Sequence, residues 1–440
     1  MRCFIVYFLF VFLSVSFPAH SSEFMNSGYF RVRAMSFQEK DFLSDNFLES
    51  RLRWEPEIKL AEKLSIFMQA DFDGLWGGAQ PVDFRFNRAW LSIETPAGLL
   101  QVGRMPSEWG RGVFTNAGIG FDDMFGDNYA GDTFDRILLS TKPLGKESAL
   151  TTALIFDKIS SGRSNDLDDD LNEMVLVFFA SGVRGMAGVY GGYRVQPSTA
   201  TEAFFSDGYF RFSKGIFTAE AEGVYIYGHS RAFQTPLLKG KYFIDQAGAS
   251  GSIKIEAGIV EPVIEAGFAS GDNNAFNRHI TQFTFHTDYN VGLILYERVL
   301  ADLTDIMVQE FSNIGEIAPP GYDIFGTGGG VTNSWYIYPA VIVRPRRDLD
   351  VILAGLYARA IFPFIDIVKF METNTASNLM GGRPSRDLGW EVDLSAEWTA
   401  AKNWTLGVQS GYFYPGESFR DASGIKHPVY AVQARFTLQF

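Results

Sequence analysis

The sequence predicts an all-β fold: a transmembrane, antiparallel, up-and-down β-barrel of about 18 strands, with short periplasmic turns and long extracellular loops. Three observations predict it: apolar and polar residues alternate in strand after strand, short and long connections alternate, and aromatic residues stand near strand ends. Successive side chains of a strand point to opposite faces, so an alternating strand has one apolar and one polar face. In a membrane barrel the apolar face meets lipid and the polar face lines a wet lumen.

The closing strand shows the alternation most clearly. Its apolar row consists of Tyr430, Val432, Ala434, Phe436, Leu438 and Phe440. Its second row consists of Ala431, Gln433, Arg435, Thr437 and Gln439. Segment 390–398 repeats the pattern, with Trp390, Val392, Leu394 and Trp398 on one face and Glu391, Asp393 and Glu397 on the other.

The connections between strand-like segments alternate in length along the whole chain. The short ones are predicted as periplasmic turns at 61–63, 95–98, 143–145, 181–182, 213–215, 259–262, 344–348 and 400–403. The long ones are predicted as extracellular loops at 38–47, 75–82, 106–132, 159–170, 195–201, 229–242, 271–331, 362–386 and 415–427. The even strand number that follows places both chain ends on the periplasmic side. Apolar residues cluster in 289–299 instead of alternating, so we assign this segment to the 271–331 loop as a helix or folded insertion.

Aromatic residues near strand ends fit the two girdles that membrane barrels place at the interfaces. The candidates are Trp54, Trp90, Trp335, Trp390, Trp398, Trp404, Tyr412 and Tyr414.

The N-terminus has the pattern of a secretory signal peptide, with Arg2 followed by an apolar run and the small-residue exit Ala19-His20-Ser21. We assign residues 1–21 to the signal peptide and 22–440 to a single barrel domain; a membrane anchor is the alternative for the apolar run. The only cysteine, Cys3, lies in the signal segment, so the mature chain has no disulfide. The net charge of −13 argues against nucleic acid as a partner.

No pattern for enzymatic chemistry, a cofactor or a metal is recognised, which predicts a protein that is not an enzyme. An acidic run at 165–170 either binds calcium or is a solvated loop. The run lacks the glycine and the distal glutamate of a calcium loop, which favours the solvated loop.

Charged residues on the predicted inner faces are the candidate functional set. The candidate pore-lining residues are Arg31, Arg33, Arg51, Arg53, Arg85, Arg104, Glu391, Asp393, Glu397 and Arg435. Barrel closure brings the first and last strands together, so a basic and an acidic sector would face a common lumen. Two interpretations stay open: a transverse field that selects ions, or salt bridges that hold the wall.

The loop at 106–132 is rich in glycine and aromatic residues. A solvated loop has no need of so many aromatic side chains, so we expect it either to fold inward and narrow the pore or to pack as a lid on the rim. The candidate constriction residues are Trp109, Arg111, Phe114 and Phe121.

Short motifs resemble the alginate-export type of outer-membrane porin. The matching segments are 102–104 (VGR), 109–112 (WGRG), 134–137 (FDRI), 388–394 (LGWEVDL), 411–416 (GYFYPG) and the closing strand. The resemblance implies a single-chain barrel whose solutes cross a charged lumen, and it does not imply which solute.

The expected function is therefore passive passage of small polar or charged solutes through an outer-membrane channel of a Gram-negative-type bacterium. Its expected partners are outer-membrane lipid, the barrel-assembly machinery and the solutes; the oligomeric state stays open. Two alternatives remain: a structural sheath for a partner, such as an electron conduit or export complex, and a surface adhesin displaying the 271–331 loop.

Overall fold

A computed structural model describes residues 23–38, 45–76, 82–118, 124–126, 131–160, 170–232, 239–274, 277–314 and 326–440. Its 18 antiparallel strands close into one barrel, which confirms the predicted fold class. The strands are β1 (Glu23–Met25 and Gly28–Gln38), β2 (Asp45–Trp54 and Glu57–Ala61), β3 (Leu64–Leu75), β4 (Asp83–Thr95), β5 (Gly98–Pro106), β6 (Thr133–Thr141), β7 (Leu150–Ser160), β8 (Leu171–Gly182), β9 (Gly185–Gln196), β10 (Thr201–Lys214), β11 (Phe217–Ser230), β12 (Tyr242–Ile255), β13 (Val260–Ala269), β14 (Ser334–Arg346), β15 (Leu349–Ala360), β16 (Asp387–Ala401), β17 (Trp404–Pro415) and β18 (Val429–Gln439).

The barrel closes between its first and last strands. In the β1–β18 ladder, Tyr29 pairs with Gln439 and Gln38 pairs with Tyr430. Strand β2 is interrupted at Pro56, which has no N–H to donate to the ladder. The two-residue strand His279–Ile280 pairs in parallel with β12 inside a long loop and does not belong to the barrel order.

The two faces of each strand meet different surroundings, as the alternation predicts. On β16, Trp390, Val392 and Leu394 are exposed on the outer face, whereas Glu391 and Asp393 are buried on the inner face. The exposed apolar side chains form the lipid-facing band of the barrel. Trp390 and Trp398 bracket this band on β16, and a tilted strand of this length spans roughly 20 Å.

Long loops lie at one end of the barrel, the loop end, and tight turns at the other, the turn end. Glu23, the first described residue, and Phe440 lie at the turn end. The loop between β15 and β16 contains helix α2 (Ile367–Thr373), whose N-terminus is capped because Asp366 accepts a hydrogen bond from the Lys369 N–H at 2.8 Å. Within the described ranges, no helix is long and apolar enough to span a membrane.

The hydrophobic core lies inside the barrel, because two loops enter the lumen. The first inner loop covers residues 107–132, between β5 and β6, and the second covers residues 270–333, between β13 and β14. The second contains a π-helical turn (Leu295–Leu300) followed by helix α1 (Ala301–Ile314). Residues 291–296 of this loop are almost fully buried against inward-facing side chains of β14 to β17. The segment set aside from the strand count is thus a folded insertion that ends in a helix.

Candidate functional site

The first inner loop is seated on a single wall carboxylate. Glu222 of β11 accepts hydrogen bonds from the backbone N–H groups of Arg111, Val113 and Phe114, the latter two at 3.1 and 3.3 Å. Gly110 precedes these donors with φ of +61°, and a Cβ there would stand 2.5 Å from Glu222 Oε2. Only glycine allows the backbone to turn and approach the carboxylate this closely.

The second inner loop is seated in the same way on β16. The Glu391 carboxylate accepts backbone N–H groups from Leu293, Ile294 and Leu295 at 2.6, 2.8 and 2.8 Å. Gly292 precedes them with φ of +76°, and a Cβ there would lie 2.9 Å from Glu391 Oε1. These donors open the π-helical turn, where backbone N–H groups attract negative charge.

Arg111 ties the two inner loops to each other and to the wall. Its guanidinium donates to Glu265 at 2.6 Å and to Ser252 at 2.6 Å, and it lies 3.3 Å from Glu220. It also donates to the Tyr289 hydroxyl of the second inner loop at 2.9 Å. Glu220 and Ser252 lie close to the turn end of β11 and β12, so Arg111 reaches deep into the barrel.

Aromatic packing fixes the rest of the first inner loop. Trp109 packs against Phe179, Tyr190 and Tyr209 of β8 to β10, with ring centroids 5.6 to 6.5 Å apart. The ring centroids of Phe114 and Phe205 lie 5.2 Å apart. The described part of this loop therefore folds inward and does not form a lid on the rim. Phe121, the remaining predicted constriction residue, lies outside the described residues.

Wall arginines on the β18-to-β6 side are paired with carboxylates. The pairs are Arg33–Glu49 (2.8 Å), Arg51–Asp73 (2.6 Å), Arg53–Asp71 (2.8 Å), Arg136–Asp157 (2.7 Å) and Arg435–Glu397 (3.1 Å). We call this group, together with Arg31 and Arg88, the basic sector. Arg31 is buried on the same inner face.

The basic sector also holds the first inner loop, through backbone carbonyl groups. Arg88 donates to the Ala117 carbonyl at 2.7 Å, and Arg53 to the Gly118 carbonyl at 3.4 Å. Arg435 donates to the Gly126 carbonyl at 3.5 Å. Arginine donors at these positions satisfy loop carbonyl groups that are buried away from water.

The opposite wall, from β10 to β16, carries the acidic sector: Asp207, Glu220, Glu222, Glu261, Glu265, Glu391 and Asp393. Asp207 and Asp393 are each 0% exposed. Within the described part of the chain, neither carboxyl oxygen of Asp207 or Asp393 has a hydrogen-bond partner. No group of three metal-ligating side chains is found among the described residues.

Two predicted pore-lining arginines stand apart from the basic sector. Arg85 lies at the loop-end rim, in contact with Asp73. The structure corrects the prediction for Arg104, which lies on the outer face beside exposed Val102 and is 3.7 Å from Asp135. Arg104 shares a row with Leu100 and Val102 on β5, so the alternation of its own strand places it on the outer face. On β4, a bulge at Asn87, opposite Gln69 and Ala70, inserts one residue and reverses which residues face inward beyond it.

The same bulge turns Trp90 inward, so its assignment to an aromatic girdle on the outer face is wrong. Trp90 pairs with Phe67 across the inner face, and the two rings stack 5.0 Å apart. Glu391, Asp393 and Glu397 do face inward as predicted. The second inner loop covers Glu391 and Asp393, however, so they contact backbone and apolar side chains where open lumen was expected.

Several residues of the site were missed from the sequence. They are Arg88, Arg136, Asp207, Glu222, Glu265 and Tyr289. The inward rows of β10 and β11 alternate correctly, so Asp207 and Glu222 carried a detectable signal. Tyr289 lies in a segment without periodicity and carried none.

The loop between β17 and β18 carries a separate surface charge cluster outside the strands. The hydrogen bond from Arg420 (2.7 Å), helped by Lys426, lowers the pKa of Glu417 to about 2. Hydrogen bonds from the Ile425 N–H, Ser423 and His427 lower the pKa of Asp421.

Comparison with solved structures finds outer-membrane porins that share this fold. OccAB1 of Acinetobacter baumannii is 10% identical with a TM-score of 0.56, over 97% of this chain and 99% of that one. OccK2 (OpdF) of Pseudomonas aeruginosa is 10% identical with a TM-score of 0.56, over 96% and 100%. OpdL of Pseudomonas aeruginosa is 12% identical with a TM-score of 0.55, over 95% and 99%.

A structure of OccK2 in complex with glucuronate has a TM-score of 0.53 at 9% identity, over 94% of this chain and 98% of that one. No family model and no curated protein matches the sequence. The chain therefore has the 18-stranded barrel fold of outer-membrane porins, which is consistent with a location in the outer membrane of a Gram-negative bacterium.

Proposed function

We propose that this protein is a passive outer-membrane porin for small polar or charged solutes, whose lumen is narrowed by two inner loops. The observation that carries the proposal is a closed barrel with an apolar outer band and a charged inner wall that anchors both loops. A barrel of about this strand number leaves an aqueous passage unless loops fill it. Loops seated on wall charges narrow that passage and decide which solutes fit.

Small carboxylates are the first solutes to test. The basic sector supplies guanidinium groups along one wall, and guanidinium recognises carboxylate in a two-pronged geometry. Glucuronate, which one structural neighbour binds, has this chemistry. A long polyanion such as alginate fits less well, because wall carboxylates already pair with most of these arginines and the inner loops occupy much of the cross-section.

Two alternative functions are less well supported. A sheath around a partner protein needs a wide, free lumen, whereas the described parts of the two inner loops occupy much of this one. An adhesin would display the second inner loop outward, whereas residues 291–296 are buried inside the barrel.

The proposal also includes three further assignments. Residues 1–21 are a signal peptide, residues 22–440 form one domain inserted by the barrel-assembly machinery, and the protein has no enzymatic activity.

Single-channel recording of the purified protein in planar bilayers tests the proposal. We expect stable, ohmic conductance. Adding glucuronate or another small carboxylate should block part of this conductance or shift the reversal potential measured under a salt gradient. Silence in bilayers, with the barrel correctly folded and inserted, would contradict a porin. Conductance that appears only after a partner protein is added would favour the sheath.

A further inference from the structure

Each inner loop rests on a pair of neighbouring acids of which only one has hydrogen-bond donors. In the β16 pair, Glu391 receives three backbone N–H groups, whereas Asp393, two residues along on the same face, has no partner for either oxygen. In the second pair, Glu222 receives three N–H groups, and Asp207 on the adjacent strand β10 has no partner. The two sites are built independently from different strands, so the repetition is not a consequence of one local geometry.

Among the described residues, no lysine or arginine forms an ion pair with the second acid at either site. The polar groups that face Asp393 are the Glu391 carboxylate, the Tyr338 hydroxyl of β14 and the Leu293 N–H, which is donated to Glu391 at 2.6 Å. Tyr296 of the second inner loop lies near Glu391. The neighbours on β15 and β17 are Ala354 and Gly411, which carry no charge.

Asp207 has equivalent surroundings. It faces Glu222 and the indole N–H of Trp109. The nearby titratable groups are Tyr190 of β9, directly opposite Asp207, Tyr209 of β10 and Glu220 of β11. Arg211 and Arg111 are paired with other carboxylates, Arg211 with Glu220 at 3.1 Å and Arg111 with Glu265 at 2.6 Å.

Two adjacent carboxylates buried without a cation cannot both be ionised at a tolerable free energy. An ionised carboxylate that accepts three N–H groups is well stabilised, whereas an ionised one without donors is not. We propose that each acid pair holds one proton, on Asp393 and on Asp207, and that the seating of each inner loop depends on that proton. The proposal concerns how the loops are held and does not require that the barrel conduct.

The consequence is a pH window for loop seating. Loss of the proton at high pH places two negative charges side by side and pushes the loop from its seat. Gain of a second proton at low pH neutralises Glu391 or Glu222 and weakens the three N–H hydrogen bonds. The loops are therefore seated most firmly between these limits.

Amide hydrogen exchange in the full-length protein in detergent tests this without reference to transport. Protection of the Leu293, Ile294 and Leu295 amides, corrected for intrinsic exchange, is measured from about pH 4 to about pH 10. For the wild type we expect protection to fall about tenfold or more on both sides of a plateau, while the strand amides stay protected.

Asp393→Asn supplies the decisive variant, because the amide has the shape of the protonated acid and cannot ionise. We expect it to remove the alkaline fall and keep the acidic one. Glu391→Gln is expected to lower protection throughout and remove the acidic fall. Asp207→Asn should alter only the Arg111, Val113 and Phe114 amides. Glu397→Gln, on the same face of β16 but paired with Arg435, is the matched control and should leave both limbs unchanged.

A flat wild-type profile overturns the proposal, and so does an Asp393→Asn profile identical to that of the wild type. If Glu391→Gln fails to fold, Asp393→Asn still decides, because it preserves all three N–H hydrogen bonds. A silent channel with the expected exchange profile would contradict the porin function and leave the acid pairs intact.

Discussion

The basic and acidic sectors of the lumen hold the same inner loops by opposite chemistry. In the basic sector, arginines pair with wall carboxylates and donate to the loop carbonyl groups of Ala117, Gly118 and Gly126. In the acidic sector, Glu222 and Glu391 accept loop N–H groups, and neither carboxylate forms an ion pair with a cation in the described part of the wall. Backbone segments that enter a lumen expose both kinds of group, and each kind needs a partner.

The comparison shows that lumen charge in this barrel has two tasks. An arginine with five donors can pair with a carboxylate and still hold a carbonyl group. A carboxylate that is fully used by backbone N–H groups has nothing left for a solute. We therefore expect any solute selectivity to arise mainly in the basic sector, and loop seating to depend most on the acidic one.

The largest effect is expected from breaking a buried pair in the basic sector. Arg53→Met leaves Asp71 buried without its partner, which costs about 3 to 5 kcal/mol of unfolding free energy. Arg53→Met combined with Asp71→Leu should recover much of that loss, because no charge is then left unpaired. Denaturant unfolding in detergent measures both variants. Equal destabilisation by the single and double variants would show that the pairing is not what stabilises this wall.

A smaller effect tests whether the acidic sector faces inward at all. Leu394 stands between Glu391 and Glu397 on β16 and points outward. Leu394→Arg should cost about 2 to 4 kcal/mol at mid-membrane depth. Thr405→Arg, on the inner face of β17, is the control and should cost little. Other inner-face positions, such as Ser395 and Gln409, are not expected to tolerate an arginine, because they are buried under the inner loops. Equal costs for Leu394→Arg and Thr405→Arg would contradict the assignment of faces.

Gly292, which precedes the three backbone N–H donors to Glu391, allows a test of how closely the second inner loop must approach that carboxylate. Gly292→Ala forces an alanine to φ of +76° and its Cβ to 2.9 Å from Glu391. Gly258→Ala, in a turn with φ of +72° and nothing within 4 Å, has the backbone strain without the clash. The strain alone costs about 1 to 2 kcal/mol, so Gly292→Ala should cost more than Gly258→Ala. Thermal unfolding compares them, and equal losses would mean that the close approach to Glu391 is unimportant.

The smallest effect is expected at the surface cluster outside both sectors. The pKa of Glu417 is lowered from its ordinary 4.5 to about 2, so its contribution is fully present above about pH 4.5 and is lost as the pH falls toward 2. Glu417→Gln should remove that acid-side dependence from the local stability of the 416–428 loop and leave the barrel melting temperature nearly unchanged. A large loss of barrel stability at neutral pH would contradict this reading.

The sequence was sufficient for the barrel because the alternation that defines each strand is local. The strand number, the turns and the long loops all follow from period-two segments separated by breaks. Trp90 was misassigned because the Asn87 bulge reverses the alternation on β4, and nothing in the local pattern marks one extra residue. Arg104 was misassigned although it shares the apolar row of Leu100 and Val102 on β5, which the alternation places outside.

The candidate site was only partly predictable. Arg33, Arg51, Arg53 and Arg435 were found as inward charges, but their pairing depends on strand register. The seats at Glu222 and Glu391 depend on which loop enters the lumen, and this is decided by contacts more than 90 residues apart in sequence. The inward position of Asp207 could be derived from the alternation of its strand, but its proximity to Glu222 depends on the register between β10 and β11, which is not local.

Arg111 ties both inner loops to the acidic sector, so its removal tests the central claim most directly. Single-channel conductance is compared for the wild type, Arg111→Ala and the control Arg346→Ala, which alters an exposed arginine at a turn. If wall charges hold the inner loops across the passage, Arg111→Ala should give larger and noisier conductance, because the first inner loop loses its ties to Glu265, Ser252 and Tyr289. The control should conduct like the wild type. Unchanged conductance in a correctly folded Arg111→Ala barrel would contradict the claim that these contacts narrow the channel.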